Sequence, residues 1–283
     1  MKFLTSVSIV LLAVGHLGCR SETSIDEVAV AKASDQINPS DTSQEGDLSL
    51  EDVIERAESS LRTLSSSLKD YTATFVKRDP DDDGKAKPET SIEIKTQTRT
   101  RNETNDAPRR VFLRFLSPDD VAGRKVIWGE DLYDGDMAVH ETGLLLGWKT
   151  LYLPPEGMLA MQGQNYPISE IGIIKLTETL IERGKADLGK PGISVTSGTD
   201  QWNGLDVERI VISRSSPSGE ESDFSRAEIV IDPEREIVLA YRSYGWPIEQ
   251  GELIESYEYR NFEMNVGLSD FDFDVKNPSY GFP

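Results

Sequence analysis

Thiols and imidazoles are almost absent from this chain, which has one cysteine, Cys19, and two histidines, His16 and His140. A single cysteine excludes an intrachain disulfide, so the fold must rest on its buried core. His140 is followed by Glu141 but by no second histidine at helical spacing, which rules out a zinc helix of the H-E-x-x-H type. The usual nucleophile–base pairs are largely excluded for the same reason, and His140 reads as a structural or surface residue. Glycines form neither a phosphate loop nor a dinucleotide fingerprint, and Ser218-Gly219 and Thr142-Gly143 lie outside a nucleophile elbow. Two carboxylates could serve a glycosidase, but no pair stands out among 50 acidic residues. The sequence predicts no catalytic residue, no metal ligand and no cofactor.

Positive charge is short as well. Lys and Arg number 30 against 50 Asp and Glu, a formal net charge of −20. Such a surface repels nucleic acid and anionic membranes, so no nucleic-acid partner is expected.

Long hydrophobic runs are missing too. The apolar stretch Phe3 to Leu17 is shorter than the ~20 residues a membrane span needs. Preceded by Lys2 and ending in HLGC, it resembles a bacterial lipoprotein signal, with His16 standing where that pattern prefers leucine. Residues 1–18 are therefore expected to be a signal peptide and Cys19 the lipid attachment site, anchoring the protein to a membrane of the bacterial cell envelope and facing the periplasm or exterior. The alternative is an ordinary secretory leader with an incidental cysteine. Residues 19–47 are rich in Ser, Asp and Glu, have no aromatic residue, and read as a flexible tether behind that anchor. Residues 48–283 suit one domain, expected to be monomeric.

What is present in that domain is alternation. Ser49 and Asp52 have capping-box spacing, and Leu50, Val53, Ile54, Ala57, Leu61, Leu64 and Leu68 then recur at helical intervals. In YTATFVKR, Tyr71, Ala73 and Phe75 share one face of a strand. Further strands are predicted around Ile92, in RVFLRF, RKVIW and DMAVHE, in LLLGWKTLYL, and in five segments beyond residue 192. Between two of these strands, Asp79, Asp81, Asp83 and Gly84 have the spacing of the first half of a calcium loop. Position twelve is Thr90, however, and Glu89 stands one residue short. The segment reads as a solvated hairpin loop, with a weak calcium site as the alternative. Asp270, Asp272 and Asp274 alternate with Phe271 and Phe273, as at a strand edge or turn.

The stretch LYLPPEGMLAMQGQNYPISEIGIIKLTETLI, residues 151–181, is an apolar insert between the two sets of strands. Pro154-Pro155 and Gly157 prevent a long helix at its start. Ser169 is a plausible N-cap for a helix carrying Ile173, Ile174, Leu176, Leu180 and Ile181 on one face. Roughly ten locally connected strands with two helices predict an α+β fold: an antiparallel sheet packed on an N-terminal helix and a central helical insert.

The capped helix, YTATFVKR, AVHETG, the central insert and NVGLSDFDFDVKNPSYGF together resemble the domain-of-unknown-function family 1571 of bacterial envelope proteins, over about residues 50–283. More distantly, the opening helix and strand resemble the LolA/LolB/MucB lipoprotein-carrier superfamily. That resemblance implies a curved antiparallel sheet forming an open half-barrel, with a hydrophobic concavity that holds acyl chains. It also implies a non-catalytic module whose partner is a hydrophobic ligand or lipoprotein. In such a fold the insert would act as a plug or lid, and Trp148, Tyr152, Met158, Leu159, Met161 and Tyr166 are the expected pocket residues. The alternatives are that they close a dry core, that the protein is an envelope adaptor binding another protein, or that it is an unrecognised hydrolase.

Overall fold

A computed structural model describes residues 48–143, 147–219 and 223–283. The expected signal peptide, Cys19 and the tether 19–47 lie outside the described residues.

Helix α1 (Leu50–Ser67) begins as its sequence predicts: Ser49 accepts from the Asp52 N–H, and the Asp52 carboxylate accepts from the Ser49 N–H at 2.9 Å. Its apolar stripe is buried through Leu50, Val53, Ile54 and Leu64, and Leu68 closes the C-terminus. Six strands follow as a meander: β1 (Asp70–Arg78), β2 (Thr90–Gln97), β3 (Arg110–Ser117), β4 (Lys125–Gly129), β5 (Met137–His140) and β6 (Leu151–Leu153). Helix α2 (Ile173–Asp187) then leads to a second meander. Its strands are β7 (Ile193–Trp202), β8 (Leu205–Arg214), β9 (Arg226–Asp232), β10 (Ile237–Tyr244) and β11 (Leu253–Met264).

The two meanders fuse where β1 pairs antiparallel with β11, giving one eleven-stranded sheet in the order β6-β5-β4-β3-β2-β1-β11-β10-β9-β8-β7. The fold is α+β, with a curved, unclosed antiparallel sheet. Register shifts between Thr72 and Thr74, Ser243 and Tyr244, and Val238 and Ala240 bend the strands near its middle. The topology dictates where the insert goes. The chain leaves the sheet at one edge, β6, and re-enters at the other, β7, so residues 154–192 must cross a face of the sheet.

Both helices lie on that face. Gly184 lets them approach closely, since a Cβ there would sit 3.0 Å from Ile54 Cγ1. One core groups Leu64, Leu68, Tyr71, Phe75 and Ile94 with Ile173 of α2, and a second groups Val53, Ile54 and Ile181 with Ile210, Ile229 and Val238. The opposite face is covered around Phe112, Ile127 and Ala138 by the C-terminal segment, whose Phe273 and Tyr280 are buried. Tyr280 stacks on Phe112 at 4.1 Å between ring centroids. Lys95 lies over both rings and reaches Asp272 at 2.8 Å.

Several expectations need correction. Helix α2 is capped at Gly172, not Ser169, which sits in a short 3-10 turn, Ile168–Glu170. Among the described residues of LLLGWKTLYL, Leu151–Leu153 alone forms a strand and Trp148 lies in a turn; Leu144, Leu145 and Leu146 are outside the described residues. The alternating Asp–Phe segment, by contrast, takes one of its two expected forms, a turn: a 3-10 turn, Asp270–Phe273, with Phe273 buried and Phe271 exposed. The loop of residues 79–89 is not simply solvated: Pro80 bridges to Ala86, and Asp79 is buried.

Candidate functional site: a cavity under the insert

Between the sheet and the crossing segment is a cavity of about 790 Å³, within the range of roughly 300–1,000 Å³ usual for ligand sites. Strand alternation builds its floor. Alternate residues of β3, β5 and β6 face it, among them Leu113 and Phe115, Met137 and Val139, Leu151 and Leu153. Phe75 of β1, Ile92 of β2, Val126 of β4, Tyr241 of β10, and Tyr257 and Tyr259 of β11 also line it. Its roof is the insert, through Leu159, Ala160 and Ile168, and one side of α2, through Leu176, Leu180 and Arg183. The neighbouring stripe of α2, Ile173, Thr177 and Ile181, is buried in the core. The helix therefore splits its faces between core and cavity.

The roof is held at two places. Downstream, Arg109 donates to the carbonyls of Ser169 and Ile171, each at 2.8 Å, and its guanidinium lies 6.0 Å from the centre of the Trp128 ring. The Ile173 N–H donates to the Tyr71 hydroxyl at 3.3 Å, and burial raises that phenol above its usual range. Upstream, Lys77 donates to Gln164 at 2.8 Å and Lys87 to Asn165 at 2.9 Å, while the Asn165 amide donates to the Pro80 carbonyl at 3.0 Å. The β1–β2 hairpin thus grips the insert. Between Pro154 and Gln164 the backbone bonds are local turns, such as Met161 N–H to Gly157 O at 2.9 Å.

One end of the cavity is polar. Lys77 meets Asp79 at 2.5 Å, and Arg183 of α2 meets Glu255 at 2.6 Å and the Tyr241 hydroxyl at 3.3 Å. The Tyr257 hydroxyl stands between Asp79 and Glu255, 3.2 Å from each. Burial, reinforced by Glu255, pushes the Tyr241 phenol up to about 12. Burial and the two flanking carboxylates drive Tyr257 far above the ordinary phenol range. Burial opposes the Arg183 charge, but Glu255 outweighs it, so this guanidinium is more firmly protonated than usual. At the rim, Arg124 pairs with Glu141 at 2.9 Å and lies over Phe115.

Of the six expected pocket residues, the structure brings Leu159 and Tyr166 to the cavity and places four elsewhere. Tyr152 lies on β6 between Leu151 and Leu153, so alternation turns it to the opposite face, where it meets Tyr133 at 5.4 Å. Trp148 is 69% exposed in its turn, and Met158 is 88% exposed. Met161 is partly buried in the insert but does not line the cavity. The sequence reading missed the aromatic floor, Phe75, Phe115, Tyr257 and Tyr259. Its signal was present in the alternation of FVKR, LRF and ESYEYRNF, but nothing local says which strand face is enclosed.

The family model for the protein of unknown function DUF1571 matches residues 68–282. The chain belongs to this family. No curated protein matches the DUF1571 chain. Similar solved structures include the Mycobacterium tuberculosis lipoprotein LppX, at 12% identity over 78% of this chain and 98% of that one, with a TM-score of 0.42. MucB, solved in complex with the periplasmic part of MucA, is 12% identical over 80% of this chain and 59% of its own, with a TM-score of 0.42. A LolA superfamily protein from Nitrosomonas europaea is 10% identical over 77% and 97%, with a TM-score of 0.27. Likenesses this distant carry no argument about ligand or partner in the DUF1571 protein.

Proposed function

We propose that this DUF1571 domain is a non-catalytic binding module that takes a hydrophobic ligand, an acyl chain or lipid, into the cavity under its insert. The observation that carries this reading is the cavity itself: about 790 Å³, floored by aliphatic and aromatic side chains and roofed by a segment fastened at two points. Space of that size beneath so many apolar side chains favours an apolar occupant, because transfer from water stabilises by roughly 25 cal/mol per Å² of apolar surface removed. The carboxylates nearest the cavity's polar end, Asp79 and Glu255, are each ion-paired to a cation, an arrangement that favours binding over acid–base chemistry. Solvent extraction of the purified protein followed by mass spectrometry tests the reading: a stoichiometric lipid is the expected result. Its absence, together with failure to take up any apolar probe, would remove the reading.

The adaptor reading retains one supporting observation, the exposed side chains of Met158, Leu159 and Tyr166 on the insert, which would suit contact with another protein. We also propose that Cys19 anchors the chain to an envelope membrane; the support is the leader sequence ending in HLGC. Among the described residues, no helix is long and apolar enough to cross a membrane.

A further inference from the structure

The cavity is not uniform. At the β3–β6 end its floor is aliphatic, from Leu113, Val126, Met137, Val139, Leu151 and Leu153, with Asp120 and the Arg124–Glu141 pair at the rim. At the end formed by β1, β11 and α2 it presents Lys77, Asp79, Tyr257, Arg183 and, from the insert, Gln164. A ligand matched to both ends is amphipathic.

The charges at the polar end are already matched. Lys77 is paired with Asp79, Arg183 with Glu255, and Lys175 at the rim with Glu178 at 3.1 Å. An anionic headgroup reaching Lys77 or Arg183 would stand beside the carboxylate already paired there and be repelled by it, and displacing that carboxylate would strip one partner from a buried pair, which is strongly unfavourable. A cationic headgroup meets the mirror problem, since it would have to compete with Lys77 for Asp79 or with Arg183 for Glu255.

Hydrogen-bonding capacity, by contrast, is left over. The single proton of the Tyr257 hydroxyl can serve only one of the two carboxylate oxygens at 3.2 Å, so one of them wants a donor. Lys77 has three N–H donors and directs two at Asp79 and Gln164, leaving one that wants an acceptor. A neutral hydroxyl supplies both at once.

Resting on the cavity-binding reading above, we propose that the ligand carries an uncharged, hydroxyl-bearing headgroup of the monoacylglycerol class. The head sits against Asp79, Tyr257 and Lys77, and the chain runs towards β3–β6. Its hydroxyl donates to the Asp79 carboxylate and accepts from Lys77.

Competition against the neutral fluorescent probe N-phenyl-1-naphthylamine, bound to the full-length protein, tests this. The competitors are 1-monopalmitoylglycerol, palmitate and hexadecylamine, which share a chain length and differ in head charge. Monopalmitoylglycerol is expected to displace the probe at about tenfold lower concentration than either charged competitor, about 1.4 kcal/mol. Tyr257→Phe should narrow that preference. Asp79→Asn, which frees Lys77, should shift it towards palmitate. Palmitate or hexadecylamine competing as well as the glyceride, with both substitutions silent, overturns the headgroup assignment while leaving the cavity reading intact. If the probe and all three amphiphiles fail to bind, the cavity reading falls and the headgroup goes with it.

Discussion

Arg109 holds the carbonyl of Ile171 at 2.8 Å, tying the base of β3 to the last residues before α2. Its other terminal nitrogen takes the Ser169 carbonyl at the same distance. Two backbone acceptors that would otherwise end a crossing segment are thus satisfied by one side chain, and the fork geometry of guanidinium suits that task better than an ammonium does.

Arg109→Ala should therefore cost about 1.5–3 kcal/mol, the range for hydrogen bonds to charged groups, and Arg109→Lys should recover only part of it. Hydrogen exchange is the sharper measurement. Amides of residues 168–173 should lose protection in Arg109→Ala, while those of β8 and β9 should not.

Gly172 sits at the same junction with φ +134°, a backbone conformation that side chains rarely adopt, and a Cβ there would lie 3.3 Å from the Tyr71 hydroxyl. Gly172→Ala should cost about 1–3 kcal/mol of strain. Thermal melts of the variant should show a lower midpoint, and a melt unchanged from wild type would mean that the junction can rearrange freely.

Much of the scaffold could be read from local pattern, because local pattern caused it. Ser49 and Asp52 set the start of α1, and Tyr71, Ala73 and Phe75 set the inner face of β1. The pairing of β1 with β11 could not be read this way, since it joins Tyr71 to Met264 across most of the chain. That pairing is what brings Tyr257 and Tyr259 under the insert. The site reading went astray by weighing residue type over direction. Tyr152 and Met158 look like ligand contacts by composition, yet one is turned away by strand alternation and the other stands on the outside of the roof. The helix start was misplaced because Ser169 is a good cap in isolation, whereas Arg109, distant in sequence, takes the carbonyls on which the real turn depends.

The hairpin loop at residues 79–89 should not bind calcium, because Asp79 and Asp81, two of its three candidate ligands, are otherwise engaged. Asp79 is held by Lys77, and Asp81 accepts from the Asp83 and Lys85 N–H groups at 3.0 and 2.9 Å. Calorimetry at millimolar calcium should give no saturable heat. Saturable binding lost on Asp81→Asn would contradict this.

Glu258, nearly inaccessible on the sheet, governs part of the acid stability. Burial works to raise its carboxyl, but Arg242 and Arg260, each at 2.7 Å, outweigh burial and hold it below the usual glutamate range. A depressed folded value stabilises above the unfolded glutamate value of about 4.3, and that contribution is lost as pH falls from there through the lower folded value. Urea midpoints should drop across this window in the wild type. Glu258→Gln should be less stable at neutral pH and show a flatter acid limb.

Filling the cavity tests the central claim most directly. Ala160 lines it from the insert and is only partly buried, so Ala160→Trp would place an indole in the proposed ligand space. If the cavity is a binding site, the wild type takes up N-phenyl-1-naphthylamine with micromolar affinity, about −8 kcal/mol. Ala160→Trp should then weaken that binding at least about tenfold while leaving the melting temperature unchanged or higher. A wild type that takes up no probe, with a variant destabilised by the roughly 1–3 kcal/mol of an overpacked core, would contradict the account.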